Sequence, residues 1–343
     1  MIALLREIGR GKRGSRDLTY EEALRGALSI LEGEATTAQT AAFLMAQRMK
    51  MESTDELRAF VDALRSRCTV FPIADGIDCA GPYDGRVRTF IATVPTAFVL
   101  AACGLPVTLH GSPSLPPKRG IAVSDVLEAL GAPVERLTYT ALTEAAVQSG
   151  FIYVPTEQWC PPLGRLRAVR EELGMRTIFN TAEKLLRPTD ASAMAVGVFH
   201  GTVFERMSEL LLALGVQDGI VVQGLEGSED IGAHQRTRAY RLRDGQAELF
   251  IIDPDMYELQ SEMIERIWTP EQQAEASMSV LTGDAELGLL NPVLLNSAVR
   301  LWVSHRAGSI EEGIYMARHA IEQGEALLAY KRWLSAVLSR TTS

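Results

Sequence analysis

The 343-residue sequence lacks the features that mark several large classes of protein. No apolar run reaches the roughly 18 residues needed to cross a bilayer, and the N-terminal MIALLREIGRGKRG becomes basic too early for a secretory signal. Only four cysteines are present, without a CxxC or Cys/His pattern, so we expect neither a zinc site nor a disulfide. These absences predict a cytoplasmic protein that does not associate with membranes.

The common catalytic signatures are missing as well. The sequence contains no HExxH, no GxxxxGK[ST] and no Ser/His/Asp order, so metalloprotease, P-loop and triad chemistry have no support, and no catalytic residue is assigned. The net charge of -9 argues against a surface that is basic throughout, although a local basic groove is compatible with it.

Two kinds of hydrophobic pattern divide the chain. Residues 1–71 carry helical signals: one helix is predicted to start at Thr19, a second at Thr36 and Thr37, and a third at Ser53, which can act as its N-cap. From residue 72 onward, short apolar runs alternate with capped helices, which is typical of βαβ units around a largely parallel sheet. We therefore predict the α/β class, with a small helical domain over 1–71, rejoined by helices from about 161–190, and a larger α/β domain over 72–343.

Short apolar runs give the predicted strands, which cover 77–80, 106–110, 151–154 and 220–223, followed by an Arg-rich hairpin from 236 to 252. Later helices are predicted over 95–103, 271–282, 291–304 and 310–336. Because ligands usually bind at the carboxyl ends of parallel strands, three loops are candidate ligand sites. They read CAGPYDGR, LHGSPSLPPKRG and GLEGSED.

Taken in that order, the loops resemble those of the nucleoside phosphorylase and anthranilate phosphoribosyltransferase superfamily, glycosyltransferase family 3. The stretches AFVLAACGLPVTLHG, VSDVLEALGAP and VREELGMRTIFNTAEKLLRP are each similar to anthranilate phosphoribosyltransferases. The segments EIGRGKRGSRDLTYEEA, PYDGR and WCPPL are similar to the divergent TrpD2/YbiB branch. The resemblance covers nearly the whole chain and implies an anthranilate phosphoribosyltransferase-like fold.

The resemblance places an altered donor-binding loop at residues 81–85. The family's GTGGD corresponds to GPYDG here, so only the first glycine keeps its register. Pro82 has no N–H and Tyr83 adds bulk, so we expect a cradle of backbone N–H groups to be damaged. The asparagine of the family's NIST motif falls on Ile91, and the lysine of its KHGN motif falls on Leu109, which removes two polar contacts.

Other positions keep a resemblance to the enzymes. Glu229 and Asp230 correspond, in reversed order, to the paired acids that hold the second magnesium, and Arg170 corresponds to the arginine that contacts anthranilate. Adjacent carboxylates are a plausible Mg²⁺ site, although such pairs are also common on solvated loops. One alternative is therefore a Mg²⁺-dependent phosphoribosyltransferase that uses phosphoribosyl pyrophosphate and an unidentified acceptor.

Basic residues cluster in the segments expected to face this crevice. Such side chains can bind phosphodiesters, and Tyr83 or Trp159 could stack on a base. The candidate ligand- and phosphate-binding residues are Gly81, Asp84, Gly85, Arg86, Arg88, His110, Lys118, Arg119, Arg165 and Arg170. A further basic group comprises Arg10, Lys12, Arg13 and Arg16. The alternative is that these are ordinary solvated charges and that His110 is structural.

The resemblance to the TrpD2/YbiB branch implies a homodimer that binds nucleic acid and lacks anthranilate phosphoribosyltransferase activity. The altered donor loop fits this expectation. We therefore predict non-specific binding of single-stranded DNA or RNA through a basic groove, with Arg86 as a mobile cation beside the damaged phosphate cradle.

Overall fold

Four helices form the N-terminal part of the chain. In the computed structural model, which describes residues 1–11, 13–73 and 75–339, they are α1 (Ile2–Ile8), α2 (Tyr20–Leu31), α3 (Thr37–Lys50) and α4 (Thr54–Arg65). The side chains of Thr19, Thr36 and Ser53 accept the backbone N–H three residues on and complete capping boxes. The three predicted helix starts and the cap at Ser53 are therefore confirmed.

One seven-stranded sheet forms the centre of the molecule. Its strands are β1 (Ile77–Ala80), β2 (Val107–Gly111), β3 (Phe151–Pro155), β4 (Ala193–Gly197), β5 (Asp218–Val222), β6 (Thr237–Arg243) and β7 (Gln246–Ile252). Their spatial order is β3-β2-β1-β4-β5-β6-β7. The first five strands are parallel and the last two antiparallel, which confirms the predicted α/β class with a mostly parallel sheet.

Strand β4 is absent from the sequence prediction, although it lies between β1 and β5. Its sequence AMAVG contains two alanines and a glycine, which have weak strand propensity. All five residues are buried, so packing between two neighbouring strands determines its conformation. The intrinsic strand propensity of these residues therefore does not predict β4.

Helices surround the sheet. They are α5 (Thr93–Ala102), α6 (Val123–Ala129), α7 (Tyr139–Ser149), α8 (Thr156–Trp159), α9 (Pro161–Arg165), α10 (Arg167–Leu173), α11 (Ile178–Lys184), α12 (Phe204–Ala213), α13 (Pro270–Thr282), α14 (Leu287–Val303), α15 (Ile310–Glu322) and α16 (Glu325–Leu338). The single helix predicted over 310–336 is two helices, because Gly324 adopts a left-handed φ of 71° between them. Within the described part of the chain, no helix is both long and apolar enough to cross a membrane.

Two apolar cores cover opposite faces of the sheet. In β4, Ala195 belongs to the core built with α5, α14 and α16, whereas Met194 belongs to the core that includes α2 to α4. This alternation is expected for a parallel sheet buried on both faces. The rings of Phe60 and Phe179 lie 5.1 Å apart, so α11 packs against α4. The domain boundary between residues 71 and 72 stays a prediction.

Candidate functional site

Three loops at the carboxyl ends of β1, β2 and β5 meet beside one another. A β-bridge between Arg86 and Ile121 joins the first loop to the second. A Cβ atom on Gly85 would lie 2.4 Å from the carbonyl group of Gly120, and Gly85 has a φ of 72°. Gly85 is therefore required for the close approach of the two loops. At Gly81, an added Cβ would meet the Glu229 carboxyl at 3.5 Å.

Arg86 lies inside the protein, with a side chain that is only 3% exposed. Its guanidinium forms an ion pair with Asp230 and donates to the carbonyl oxygen of Phe90. It also donates to the Thr89 hydroxyl at 2.8 and 3.0 Å. Each of its three side-chain nitrogens is thus bound within the protein. This corrects the expectation that Arg86 is a mobile cation in the loop.

Arg300 of α14 completes this buried cluster. It donates to the second carboxyl oxygen of Asp230 at 3.2 Å and lies 3.8 Å from the carboxyl of Glu229. Burial, followed by the charge of Asp230, raises the pKa of Glu229, while Arg300 opposes the change. Arg86 and Arg300 therefore both compensate the charge of Asp230, whereas Glu229 favours its neutral form.

A second buried group lies beneath the first loop. The Tyr83 hydroxyl is 2.6 Å from Nδ1 of His110, and Nε2 of His110 is 2.9 Å from the carboxyl of Asp78. All three side chains are buried, so the geometry favours the structural role of His110. Trp159 is also buried, with its ring 4.8 Å from that of Tyr139. The expectation that Tyr83 or Trp159 stacks on a base is therefore wrong.

Arg170 is enclosed as well. Its guanidinium pairs with Glu183 of α11, with a second contact of 3.2 Å between Nη2 and Oε2. Both side chains are buried. The arginine that the resemblance assigned to anthranilate thus has a carboxylate of the same chain as its partner. Removing that carboxylate would leave an uncompensated buried charge, so each partner stabilises the other in the folded protein.

Asp84 is the buried acid of a third cluster, whose basic partners Arg176 and Lys118 are partly exposed. It accepts from Arg176 at 2.6 and 3.1 Å, and Nζ of Lys118 lies 3.5 Å from its other oxygen. Lys118 also donates to the main-chain carbonyl of Glu226 at 3.2 Å. Burial lowers the pKa of Lys118, although Asp84 and Glu226 oppose the change. Lys118 therefore links the second and third loops.

Three predicted cations remain at the surface. Arg88 is 69% exposed and lies 3.6 Å from Glu265, and Arg119 pairs with Glu171 at 2.5 Å. Arg165 is exposed and donates to the carbonyl of Leu31 at 3.0 Å. In the N-terminal group, Arg10 and Arg16 pair with Glu7, whereas Lys12 lies outside the described residues. The sequence-predicted cations thus divide between buried ion pairs and a solvated rim.

Beside the third loop lies an open cleft of about 480 Å³. Its lining includes Phe199, Gln223, Glu226, His234, Arg236 and Arg238. The Phe199 ring is 40% exposed, and the Arg176 guanidinium lies 4.5 Å from its centre. Lys118 lies 5.4 Å from the same ring. An exposed aromatic face flanked by cations is therefore present next to the three loops.

Two family models match the chain. The glycosyl transferase family helical bundle domain matches residues 2–68, and the glycosyl transferase family a/b domain matches residues 77–327. The chain belongs to glycosyl transferase family 3. Its fold and sequence are anthranilate phosphoribosyltransferase-like.

Individual relatives of this family 3 protein are anthranilate phosphoribosyltransferases. The chain is 32% identical over 317 residues to the one from Alkaliphilus metalliredigens, covering 91% of this chain and 92% of the relative. The crystal structure of the Thermus thermophilus enzyme superposes with a TM-score of 0.84 at 26% identity, covering 97% of this chain and 99% of that one. The Saccharomyces cerevisiae enzyme in complex with PRPP and Mg shares the fold, with a TM-score of 0.83 at 19% identity and 98% coverage of both chains.

Glu229 and Asp230 of this family 3 protein do not fit a Mg²⁺ ion. Mg²⁺ binds one or two ionised carboxylates together with several waters, but Asp230 already pairs with Arg86 and Arg300, and the pKa of Glu229 is raised. Over the described ranges, no cluster of three or more His, Cys, Asp or Glu side chains could hold a metal ion. The magnesium expectation at Glu229 and Asp230 therefore lacks a suitable set of donors.

Four residues important to this site were missed by sequence reasoning. They are Glu183, Glu226, Arg176 and Arg300. Arg300 did carry a signal, because it is a charge within the otherwise apolar run LNSAVRLWV and buried charges need partners. The other three lie in segments already identified, either by the resemblance or as a loop after a strand, but no local pattern identifies them as partners of distant side chains.

Proposed function

We propose that this family 3 protein is of the TrpD2/YbiB type, does not use phosphoribosyl pyrophosphate, and binds nucleic acid at the cleft beside its three loops. The observation that carries the proposal is the placement of Asp230 between Arg86 and Arg300. A phosphoribosyl donor brings a diphosphate with Mg²⁺, and this cluster supplies neither free carboxylates for the metal nor accessible cations for the diphosphate.

The cleft offers what an unpaired strand requires. Proteins that bind single strands combine aromatic surfaces for the bases with cations along the backbone. Phe199 supplies an exposed ring, with Arg176 and Lys118 beside it. Arg236 and Arg238 line the same cleft and are exposed. A base would stack on Phe199, and the arginines would contact the flanking phosphates.

The alternative is a phosphoribosyltransferase with an unidentified acceptor. It is supported by the relatives, one of which binds PRPP and Mg in its crystal structure. That function would require Asp230 to leave two buried arginines before a metal could bind. Such a rearrangement would leave two guanidinium groups without their carboxylate, so the nucleic-acid function is favoured.

Fluorescence anisotropy with a labelled single-stranded oligonucleotide tests the proposal. We expect binding that weakens steeply between low and physiological salt, since several phosphates are neutralised. The combined replacement of Arg88, Arg236 and Arg238 by alanine should weaken binding at least about tenfold. Arg236 and Arg238 line the cleft, and Arg88 directly precedes Thr89, which also lines it. The matched control replaces three exposed cations of α15 and α16, which are Arg318, Lys331 and Arg332.

This control removes the same charge from helices away from the cleft, so an equal loss of affinity in both variants would mean that net charge alone explains the effect. Absence of any binding at low salt would contradict the function itself.

We also propose that residues 1–71 and 161–190 form one helical unit through which the protein dimerises. Packing between α4 and α11 supports the unit. Exposed apolar side chains on or next to α1 and α3 support the interface, since Ile2, Met49 and Met51 are 59%, 78% and 58% exposed. Sedimentation should show a dimer that dissociates when Met49 and Met51 are both replaced by glutamate. A monomeric unsubstituted protein would contradict this assembly.

A further inference from the structure

The carboxylate of Glu226 is held by a set of donors usually associated with bound phosphate. The backbone N–H groups of Val87, Arg88 and Thr89 all donate to it, at distances of 3.0 to 3.2 Å. The Thr89 hydroxyl adds a fourth donor at 2.8 Å. Consecutive backbone N–H groups that converge on one point form a concave anion-binding site. Here the anion is a side chain of the same protein.

The backbone conformation of Glu226 is unusual for a residue with a side chain. The residue has a φ of 52° and a ψ of 24°, in the left-handed region. This conformation is strained for a residue with a Cβ. Glu226 nevertheless adopts it, on the loop after β5, and reaches across to the segment before α5. The hydrogen bonds to residues 87–89 therefore outweigh the backbone strain.

The surroundings favour a negative charge at this point. Burial alone would raise the pKa of Glu226, but the backbone donors of Arg88 and Val87, the Thr89 hydroxyl and Lys118 together lower it. Nζ of Lys118 lies 4.0 Å from the nearer carboxylate oxygen. The site thus combines four hydrogen-bond donors with a cation, all directed at an oxyanion.

The site is also reachable from solvent. Thr89 and Glu226 both line the open cleft, together with Phe199 and Arg238. Rotation of the Glu226 side chain into the cleft would uncover the donors of residues 87–89. By contrast, Asp230 on the same loop is completely buried and has no such path.

We propose that the backbone of residues 87–89, the Thr89 hydroxyl and Lys118 form a binding site for a phosphate oxyanion, and that the Glu226 carboxylate closes this site until a phosphate group displaces it. The phosphate belongs either to a nucleic-acid backbone or to a small phosphorylated ligand. In both cases the chemistry is the same, because a tetrahedral oxyanion replaces a carboxylate on the same donors. The proposal does not depend on nucleic-acid binding, since free pyrophosphate is sufficient to test it.

Calorimetric titration of the full-length protein with inorganic pyrophosphate, without added metal, provides the test. Glu226→Ala should bind pyrophosphate at least about tenfold more tightly than the unsubstituted protein, because the internal competitor is gone. Adding Lys118→Ala to this variant should remove most of the gain. Glu226→Gln keeps a side chain of the same length with one acceptor oxygen but without the charge. Its gain in affinity for pyrophosphate should therefore be smaller than that of Glu226→Ala.

Glu265→Ala is the matched control. It removes an acid 3.6 Å from Arg88 and changes the net charge equally, but it leaves the donors of residues 87–89 covered. An equal gain in Glu265→Ala, or no gain in Glu226→Ala, would overturn the proposal. Should the alanine variant fail to fold, Glu226→Gly decides the question in the same titration, since glycine also tolerates the left-handed backbone.

A single-stranded oligonucleotide distinguishes the two sources of phosphate. Tighter binding of both probes by Glu226→Ala supports a site open to any phosphate group. If Glu226→Ala gains more affinity for the oligonucleotide than for pyrophosphate, the site prefers phosphodiesters. If nucleic-acid binding is absent but the pyrophosphate gain remains, the oxyanion site stands and the proposed function fails.

Discussion

Asp230 and Glu226 lie on the same loop, yet their carboxylates have opposite surroundings. Asp230 is fully buried and pairs with two guanidinium groups, whereas Glu226 borders an open cleft and accepts from backbone N–H groups. An ion pair buried without access to water is fixed, because separating it exposes two uncompensated charges. Backbone N–H groups are neutral, so another anion can take the place of the one they hold. We therefore expect the Asp230 carboxylate to stay in place and the Glu226 carboxylate to be displaceable by another anion.

The largest expected effect comes from removing an arginine of the buried cluster. Arg86→Met should lower the free energy of unfolding by about 3–5 kcal/mol, since Asp230 loses a partner in a dry environment. Arg88→Met is the matched control. Its side chain is 69% exposed, so the change should stay within about 0.5 kcal/mol. Urea unfolding at neutral pH measures both, and a similar small loss for the two variants would show that the cluster is not fixed.

The pH dependence of stability should separate two glutamates of this loop. Because the pKa of Glu229 is raised above its ordinary value of 4.5, its contribution is present below pH 4.5 and is lost as the pH rises through the folded-state pKa. The pKa of Glu226 is lowered, so its contribution is present above pH 4.5 and is lost as the pH falls.

Unfolding free energies measured from acid to neutral pH provide the check. Glu229→Gln should reduce the loss of stability that occurs as the pH rises above 4.5. Glu226→Gln should reduce the loss that occurs as the pH falls below 4.5. Identical pH profiles for the two variants would mean that both acids have the same surroundings, contrary to the comparison.

The smallest expected effect concerns the aromatic wall of the cleft. Phe199→Ala should weaken single-strand binding by about 1 kcal/mol, roughly fivefold, because a stacked base loses its platform. Phe250→Ala is a control on β7, where the ring packs against Trp302 at 5.6 Å. It should change stability without a matching change in affinity. If anisotropy titrations give Phe199→Ala the same affinity as the unsubstituted protein, the bases do not stack on Phe199.

Much of the fold followed from local chemistry. Caps at Thr19, Thr36 and Ser53 rest on interactions three residues apart, which a sequence displays directly. Strand β4 did not follow, because its alanine-rich sequence depends on neighbours for its conformation. The break at Gly324 was also missed, although a glycine between two helical segments is a recognised end signal.

The site followed from the sequence only in part. The resemblance identified the loops that come together, but it could not tell which arginine of GRVR points inward. Arg86 is buried and Arg88 is exposed, although they are two positions apart. The difference is decided by Asp230, which stands 144 positions further along the chain. Pairings of this kind depend on the tertiary fold, so local spacing carries no signal for them.

The claim that the donor site is closed is tested most directly by calorimetry of the unsubstituted protein with phosphoribosyl pyrophosphate and Mg²⁺. A parallel titration of the same preparation with a single-stranded oligonucleotide is the positive control, because it shows that the protein is folded and able to bind a ligand. We expect no heat beyond dilution for the donor, because Arg86 and Arg300 already pair with the Asp230 carboxylate that a metal would need. Tight, magnesium-dependent binding of the donor would contradict it.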